Sequence, residues 1–368
     1  LAAVVAGLNA ASTARLAMVH PESGGAYAYG RRRIGRPAGV LAGCVFVVGK
    51  SASAAAAALT IGAYLWPGHE RVVAWLAIAV LLLVDLRGVV RSMRVAAVFA
   101  AIVLVVVAIT VVAGAASVPT DVAGIGSGEG VTGVLAAAGV LFVAFAGYAR
   151  VTVLGEEVRD PARVIPRAIR LALAVALAVY LAVAVAVLGV LGPGRLAASS
   201  APLLDAVRAV GADRLAPVVA GGAVLAATGA LLALLLGVSR TVLAMARDGH
   251  LPRILAVVHP RFAVPQYAEI AIGAVVAVLA VSTDLRGVIG FSSFAVLAYY
   301  AIANASALTL GRARLIPIVG GIGCVTIAFT LPTASVLAGT VLLAVGAVLY
   351  LVRVRGGGSR PRPRPAGR

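Results

Sequence analysis

The sequence predicts an all-α membrane protein, with its helices gathered into a single domain over residues 1–352. Hydrophobic residues make up 62% of the 368-residue chain and charged residues only 12%, half the share of an ordinary soluble domain, about 25%. The apolar residues fall in runs of roughly twenty, the length a helix needs to cross a bilayer. The charges collect in short segments between the runs, where water can reach them.

In chain order the runs give eleven helices: 1–19, 38–65, 71–86, 95–115, 131–154, 171–192, 216–238, 268–282, 288–309, 315–331 and 334–352. Alanine and valine dominate them, and small residues four apart, such as Gly39 and Gly43, allow close helix approach. Cys44 and Cys324 both lie inside runs, so they read as small apolar residues and not as a disulfide framework. His20, His69, His250 and His259 are scattered between runs with no zinc spacing. The net charge of +18 does not point to nucleic acid. The arginines sit in loops and tail, aromatics are 5% of the chain, and no nucleic-acid motif is present.

The arginines orient the chain. One set of loops holds Arg31, Arg32, Arg33 and Arg36, then Arg87, Arg91 and Arg94, then Arg159, Arg163, Arg167 and Arg170, then Arg240, Arg247, Arg253 and Arg261, then Arg312 and Arg314. The alternate loops hold only Arg71, Arg195, Arg208, Arg214 and Arg286. By the positive-inside rule the first set is cytoplasmic, and so is the C-terminus. Eleven crossings then put Leu1 outside with no basic leader to send it there, so a twelfth helix is expected ahead of Leu1. Residues 353–368, rich in Gly, Pro and Arg, cannot build a core and are expected to form a disordered basic cytoplasmic tail.

The segment 135–170, LAAAGVLFVAFAGYARVTVLGEEVRDPARVIPRAIR, is the most informative. Gly147-Tyr148-Ala149-Arg150 interrupts an apolar run, and a glycine there lets a helix break and offer bare backbone groups. A guanidinium inside such a span is costly, so Arg150 is expected to pair with a carboxylate or helix-end carbonyl, or to belong to a site.

Three loop motifs follow: Pro21-Glu22-Ser23-Gly24-Gly25-Ala26-Tyr27, then Glu156-Glu157-Val158-Arg159-Asp160-Pro161 with Ile165-Pro166-Arg167-Ala168-Ile169, then Met245-Ala246-Arg247-Asp248-Gly249-His250-Leu251-Pro252. With these motifs the chain resembles, over nearly its whole length, the amino acid–polyamine–organocation superfamily of secondary transporters, in its bacterial amino acid permease branch. The resemblance implies an inverted five-helix-repeat, broken-helix transporter fold with two added helices. On that map the chain starts at the family's second helix, so 11 transmembrane helices of an expected 12 are present. It implies that Val143, Ala144, Phe145, Ala146, Gly147, Tyr148 and Arg150 line the substrate site, with Phe145 and Tyr148 as candidate gates. Carbonyls at the end of the outer half-helix would accept from an ammonium group, and the start of the inner half would suit a carboxylate. Many relatives carry an acidic residue two positions after the break glycine. Ala149 stands there, which disfavours a cationic substrate side chain.

Lys50, the chain's only lysine, lies midway through its span. Three roles are open to it: proton coupling, binding of a substrate carboxylate, or bonding to neighbouring carbonyls. Glu156 and Glu157 at the cytoplasmic edge read as a solvated network or intracellular gate, or as coupling carboxylates, and Asp85 reads likewise. Ser239, Thr228 and Thr241 stand where sodium-binding relatives use hydroxyls, although such groups often bond back within the helix. Tyr299, Tyr300, Phe291 and Phe294 either close the outer path or pack. The resemblance implies secondary active transport of an amino acid by alternating access in the plasma membrane, with possible proton coupling ahead of sodium. No cofactor, no metal, no covalent catalysis and no nucleic-acid partner are expected. Two other readings stay open: a truncated, non-transporting permease-like protein, and a transporter of polyamines or related organic cations.

Overall fold

The structure is a computed structural model and describes residues 1–20, 24–87, 105, 107, 108, 110–112, 130–148, 161–311 and 313–356. Among these the regular structure is helical, with no strand. The helices are α1 (Ala2–Val19), α2 (Ala26–Arg33), α3 (Arg36–Leu65), α4 (Glu70–Leu86), α5 (Gly130–Phe145), α6 (Pro161–Ala198), α7 (Pro202–Ala209), α8 (Ala216–Arg247), α9 (Gln266–Ser282), α10 (Leu285–Leu308), α11 (Leu315–Phe329) and α12 (Thr333–Gly356).

The apolar runs end where the chain supplies caps and breakers. Prolines stand in the first turn of α3, α7 and α8, where a missing N–H costs nothing. The Asp284 carboxylate accepts from the Gly287 backbone N at 3.1 Å and caps α10. Gly192 (φ 67°) kinks α6 ahead of Pro193, in a backbone conformation that a side chain would strain.

Five of the described helices are long and apolar enough to cross a membrane: Ala2–Val19, Arg36–Leu65, Arg163–Ala198, Asp213–Arg247 and Leu285–Leu308. Leu315–Phe329 and Thr333–Val348 pass that test only as a pair bent by 120°. Gly130–Phe145 and Gln266–Ser282 are apolar but shorter. The run expected at 95–115 lies mostly outside the described residues, as do 149–154 of the run expected at 131–154. The segment Ile165 to Arg170, expected as loop, is instead the start of α6. The helix continues through Pro166, and Ile165 (1% exposed) and Ile169 (2%), one turn apart, anchor the extension in the core. At the other end of the chain α12 runs on to Gly356, and the remainder of the expected tail lies outside the described residues.

Two apolar clusters organise the interior. One joins α1, α5, α10 and α11 and takes in Ile165 and Ile169; the other joins α3, α4, α8 and α9. Large apolar side chains such as Val278, Leu315, Ile322 and Val341 point outward and are exposed, as a lipid-facing surface requires. The elements also run in two matching series. α1, α2, α3 and α4 have 18, 8, 30 and 17 residues, and α6, α7, α8 and α9 have 38, 8, 32 and 17. The long members α3 and α8 pack against each other.

Candidate functional site

The site forms where α5 stops being an α-helix. Its residues divide cleanly by face: Val134, Ala137, Leu141 and Ala144 are exposed, while Ala138, Gly139, Phe142, Phe145 and Ala146 are buried. At Phe145 the α-helix gives way to a 3-10 turn over Ala146–Tyr148, and the last carbonyls lose their intrahelical partners. Two are taken by side chains from other helices. Tyr180 of α6 donates its hydroxyl to the Ala144 carbonyl at 2.9 Å, and Lys50 of α3 donates to the Ala146 carbonyl at 3.5 Å.

Lys50 sits midway along α3 and is only 9% exposed. The backbone beside it is held by close packing, since a Cβ on Gly49 would meet the Ala295 side chain of α10 at 2.5 Å. The Gly49 carbonyl accepts from Ser292 at 2.8 Å, and Ser53 and Ser292 share a hydrogen bond of 2.6 Å. The neighbouring Ser293 donates to the Val140 carbonyl at 3.3 Å, so one serine pair of α10 binds both α3 and α5. Aromatic rings line the same region. Phe145 meets Tyr180 edge-on at 5.2 Å and Phe142 meets Tyr300 at 5.8 Å. One turn before Lys50, Phe46 lies 5.1 Å from Tyr299. The result is a buried cation at a helix-end carbonyl beside aromatic rings and hydroxyls, an arrangement able to orient a small polar molecule.

Of the residues expected to line the site, Phe145 and Ala146 turn inward beside Lys50, Val143 is partly buried, and Ala144 and Gly147 are exposed. A Cβ built on Gly147 meets no atom within 4 Å, so there is open space next to the Ala146 carbonyl. Tyr148 closes the 3-10 turn. Arg150, Glu156 and Glu157 lie outside the described residues. Asp85, expected at a solvated edge, is instead 2% exposed, because the end of α4 packs against α9. Ser239 and Thr241 bond back to the Leu236 and Gly237 carbonyls at 3.1 and 3.2 Å. Tyr300 and Phe294 are buried within the α10 core. Among the described residues no group of three His, Cys, Asp or Glu side chains could hold a metal ion.

A second cluster joins two of the sequence motifs at the arginine-rich end. The Tyr27 hydroxyl of α2 donates to Asp248 Oδ2 at 2.6 Å and lies 2.8 Å from His250 Nδ1. With the phenol proton committed to Asp248, Nδ1 of His250 is the donor to the phenol oxygen. Arg31 forms an ion pair with the same Asp248 oxygen, and its guanidinium lies over the Tyr27 ring at 5.4 Å. Burial, then the bond to Asp248, pushes the Tyr27 phenol above its ordinary value of 10.0. One residue earlier, the Ala26 backbone N donates to the Tyr299 hydroxyl at 2.8 Å. Tyr299 faces Phe46, so α2 is connected to the wall of the Lys50 site. The sequence shows both motifs but not their meeting, because Tyr27 and Asp248 are 221 positions apart. The groups that hold the backbone around the α5 end could have been sought from the Ser292-Ser293 pair and the lone Tyr180, polar groups in otherwise apolar spans.

Comparison with known proteins agrees with this architecture. The amino acid permease family matches residues 1–354. An uncharacterized transporter of Mycobacterium tuberculosis and one of Mycobacterium bovis are each 59% identical over 360 residues, covering 96% of this chain and 82% of theirs. A branched-chain amino acid permease of Bacillus subtilis is 25% identical over 239 residues, 61% of this chain and 51% of its own. A methylthioribose transporter of the same organism is 26% identical over 239 residues, 61% of this chain and 52% of its own. By the extent of the family match and the closeness of the mycobacterial transporters, the chain is a multi-pass membrane protein that belongs to the amino acid permease family.

Proposed function

We propose that the protein is a secondary active transporter of amino acids in the plasma membrane, working by alternating access around the break at the end of α5. The observation that carries this reading is the buried Lys50 ammonium at the Ala146 carbonyl, with open space at Gly147 beside it. The family match and the branched-chain permease among the relatives support it. The two matching series of helices support an inverted repeat, with α3 and α8 as its long paired members. In this reading the arginine-rich end and the C-terminus face the cytoplasm, and the Tyr27–Asp248–Arg31 cluster is an intracellular gate. Glu156 and Glu157, next to Arg159 and Arg163 in sequence, serve that same end. The driving ion is the proton and no cofactor takes part. The Ser239 and Thr241 hydroxyls, bonded back within α8, favour the proton over sodium.

The test is uptake by the full-length protein in proteoliposomes. Radiolabelled neutral amino acids should enter faster under an inward proton gradient than without one. Absence of uptake across a complete amino acid and polyamine panel would overturn the reading.

A further inference from the structure

Lys50 carries a charge that the described protein does not neutralise. Its side chain is 9% exposed, and among the described residues its one hydrogen-bond partner is the Ala146 carbonyl, at 3.5 Å. That contact is long, and an ammonium has three donors. The Arg31–Asp248 ion pair belongs to the other cluster. The hydroxyls on the same stretch of α3 and the facing Ser292 are engaged elsewhere, Ser51 with the Val47 carbonyl, Ser53 with Ser292 and Ser292 with the Gly49 carbonyl. A buried charge with only a carbonyl for company is costly unless an opposite charge arrives. The negative end of α5 holds the ammonium loosely in place meanwhile, and the open space at Gly147 gives a ligand access to the same carbonyl.

We propose that Lys50 receives the substrate's carboxylate, so that the site selects molecules with a free carboxylate and rejects amines that lack one. The inference rests on the transport reading above and names the substrate class it implies. A zwitterion satisfies both parts of the site, its ammonium on the α5 carbonyls and its carboxylate on Lys50. A polyamine brings a second cation against Lys50 with nothing to offset it. An extra cationic side chain is disfavoured for the same reason.

The experiment uses the purified full-length protein in lipid nanodiscs and measures ligand-induced thermal stabilisation. The probes are the amino acids, their decarboxylated amines, and the matching carboxylic acids without an amino group. The wild type should be stabilised by at least one carboxylate-bearing probe and at least tenfold more weakly by the corresponding amine. Lys50→Met should weaken binding of that probe by roughly ten- to a hundredfold, as expected for loss of a buried charge-assisted contact, and erase the preference for acid over amine. Lys50→Arg should keep the preference. The acid-against-amine comparison in the wild type needs no variant, so it stands even if Lys50→Met fails to fold. Equal binding of acid and amine by the wild type, unchanged acid binding in Lys50→Met, or no binding of any carboxylate would each overturn the inference. Binding of the plain carboxylic acids alone, lost in Lys50→Met, would uphold it while sinking the amino acid reading.

Discussion

α2 and α7 occupy matching places, each an eight-residue helix that precedes one of the two long paired helices, α3 or α8. They are fastened by different forces. α2 is buried over Ala26–Gly30 and tied to distant elements by polar bonds: Ala26 to Tyr299, Tyr27 to Asp248 and His250, Arg31 to Asp248. α7 buries Leu204, Ala206 and Val207 against the ends of α3, α6 and α8, and its Asp205 side chain bonds only locally, accepting from Ser199. Polar bonds are directional and weaken over a short displacement, whereas apolar burial is non-directional and follows the area removed from water. One end of the bundle is therefore built like a latch and the other like a packed cap.

That contrast can be broken by substitution, and the largest effect should fall on the cap. Leu204→Ala, at a side chain 5% exposed, should cost about 3 kcal/mol. The loss, read as a lowered melting temperature, should be the same at low and high salt. Asp248→Ala should cost about 2 kcal/mol by leaving both Tyr27 and Arg31 without their shared acceptor. A cysteine placed on α2 should then be alkylated faster. Tyr27→Phe should cost about 1 kcal/mol and alter the alkaline response. Because the folded phenol ionises above its ordinary value of 10.0, its stabilisation is complete below pH 10 and falls as pH rises past it, while the unfolded phenol ionises first. Wild-type thermal stability should therefore decline above pH 10 by an increment that Tyr27→Phe lacks. Arg31→Gln should have the smallest effect, roughly 0.5 kcal/mol, since both ends of its ion pair are about one-third exposed, at 31% and 33%. That small loss should vanish in high salt.

The two ends also differ in how far the sequence discloses them. Apolar runs and prolines place α1, α3 and α10 and the start of α8 within a few residues, because burial in lipid imposes length and composition directly, whereas α8 runs on past the expected residue 238 to Arg247. The Pro161-to-Arg170 segment misleads, since its charges and prolines suggest a loop while Ile165 and Ile169 carry the helix inward. Gly147 marks where α5 ends, as a small residue with open space around it. What the sequence cannot disclose is the partner across the bundle. Lys50 and Ala146 are 96 positions apart and Ala26 and Tyr299 are 273 apart, and neither pair is implied by any local pattern. Such contacts exist only once packing has fixed which helix faces which.

The central claim, that the transported molecule sits at the end of α5, is tested most directly at Gly147. A Cβ there meets nothing within 4 Å and the residue is exposed, so Gly147→Cys should fold undisturbed in a chain with Cys44 and Cys324 replaced by alanine. Alkylation of that cysteine by a small maleimide should be slowed severalfold by the amino acid the protein transports, and restored by Lys50→Met in the presence of the same amino acid. An alkylation rate indifferent to the transported amino acid would place the substrate elsewhere and contradict the account.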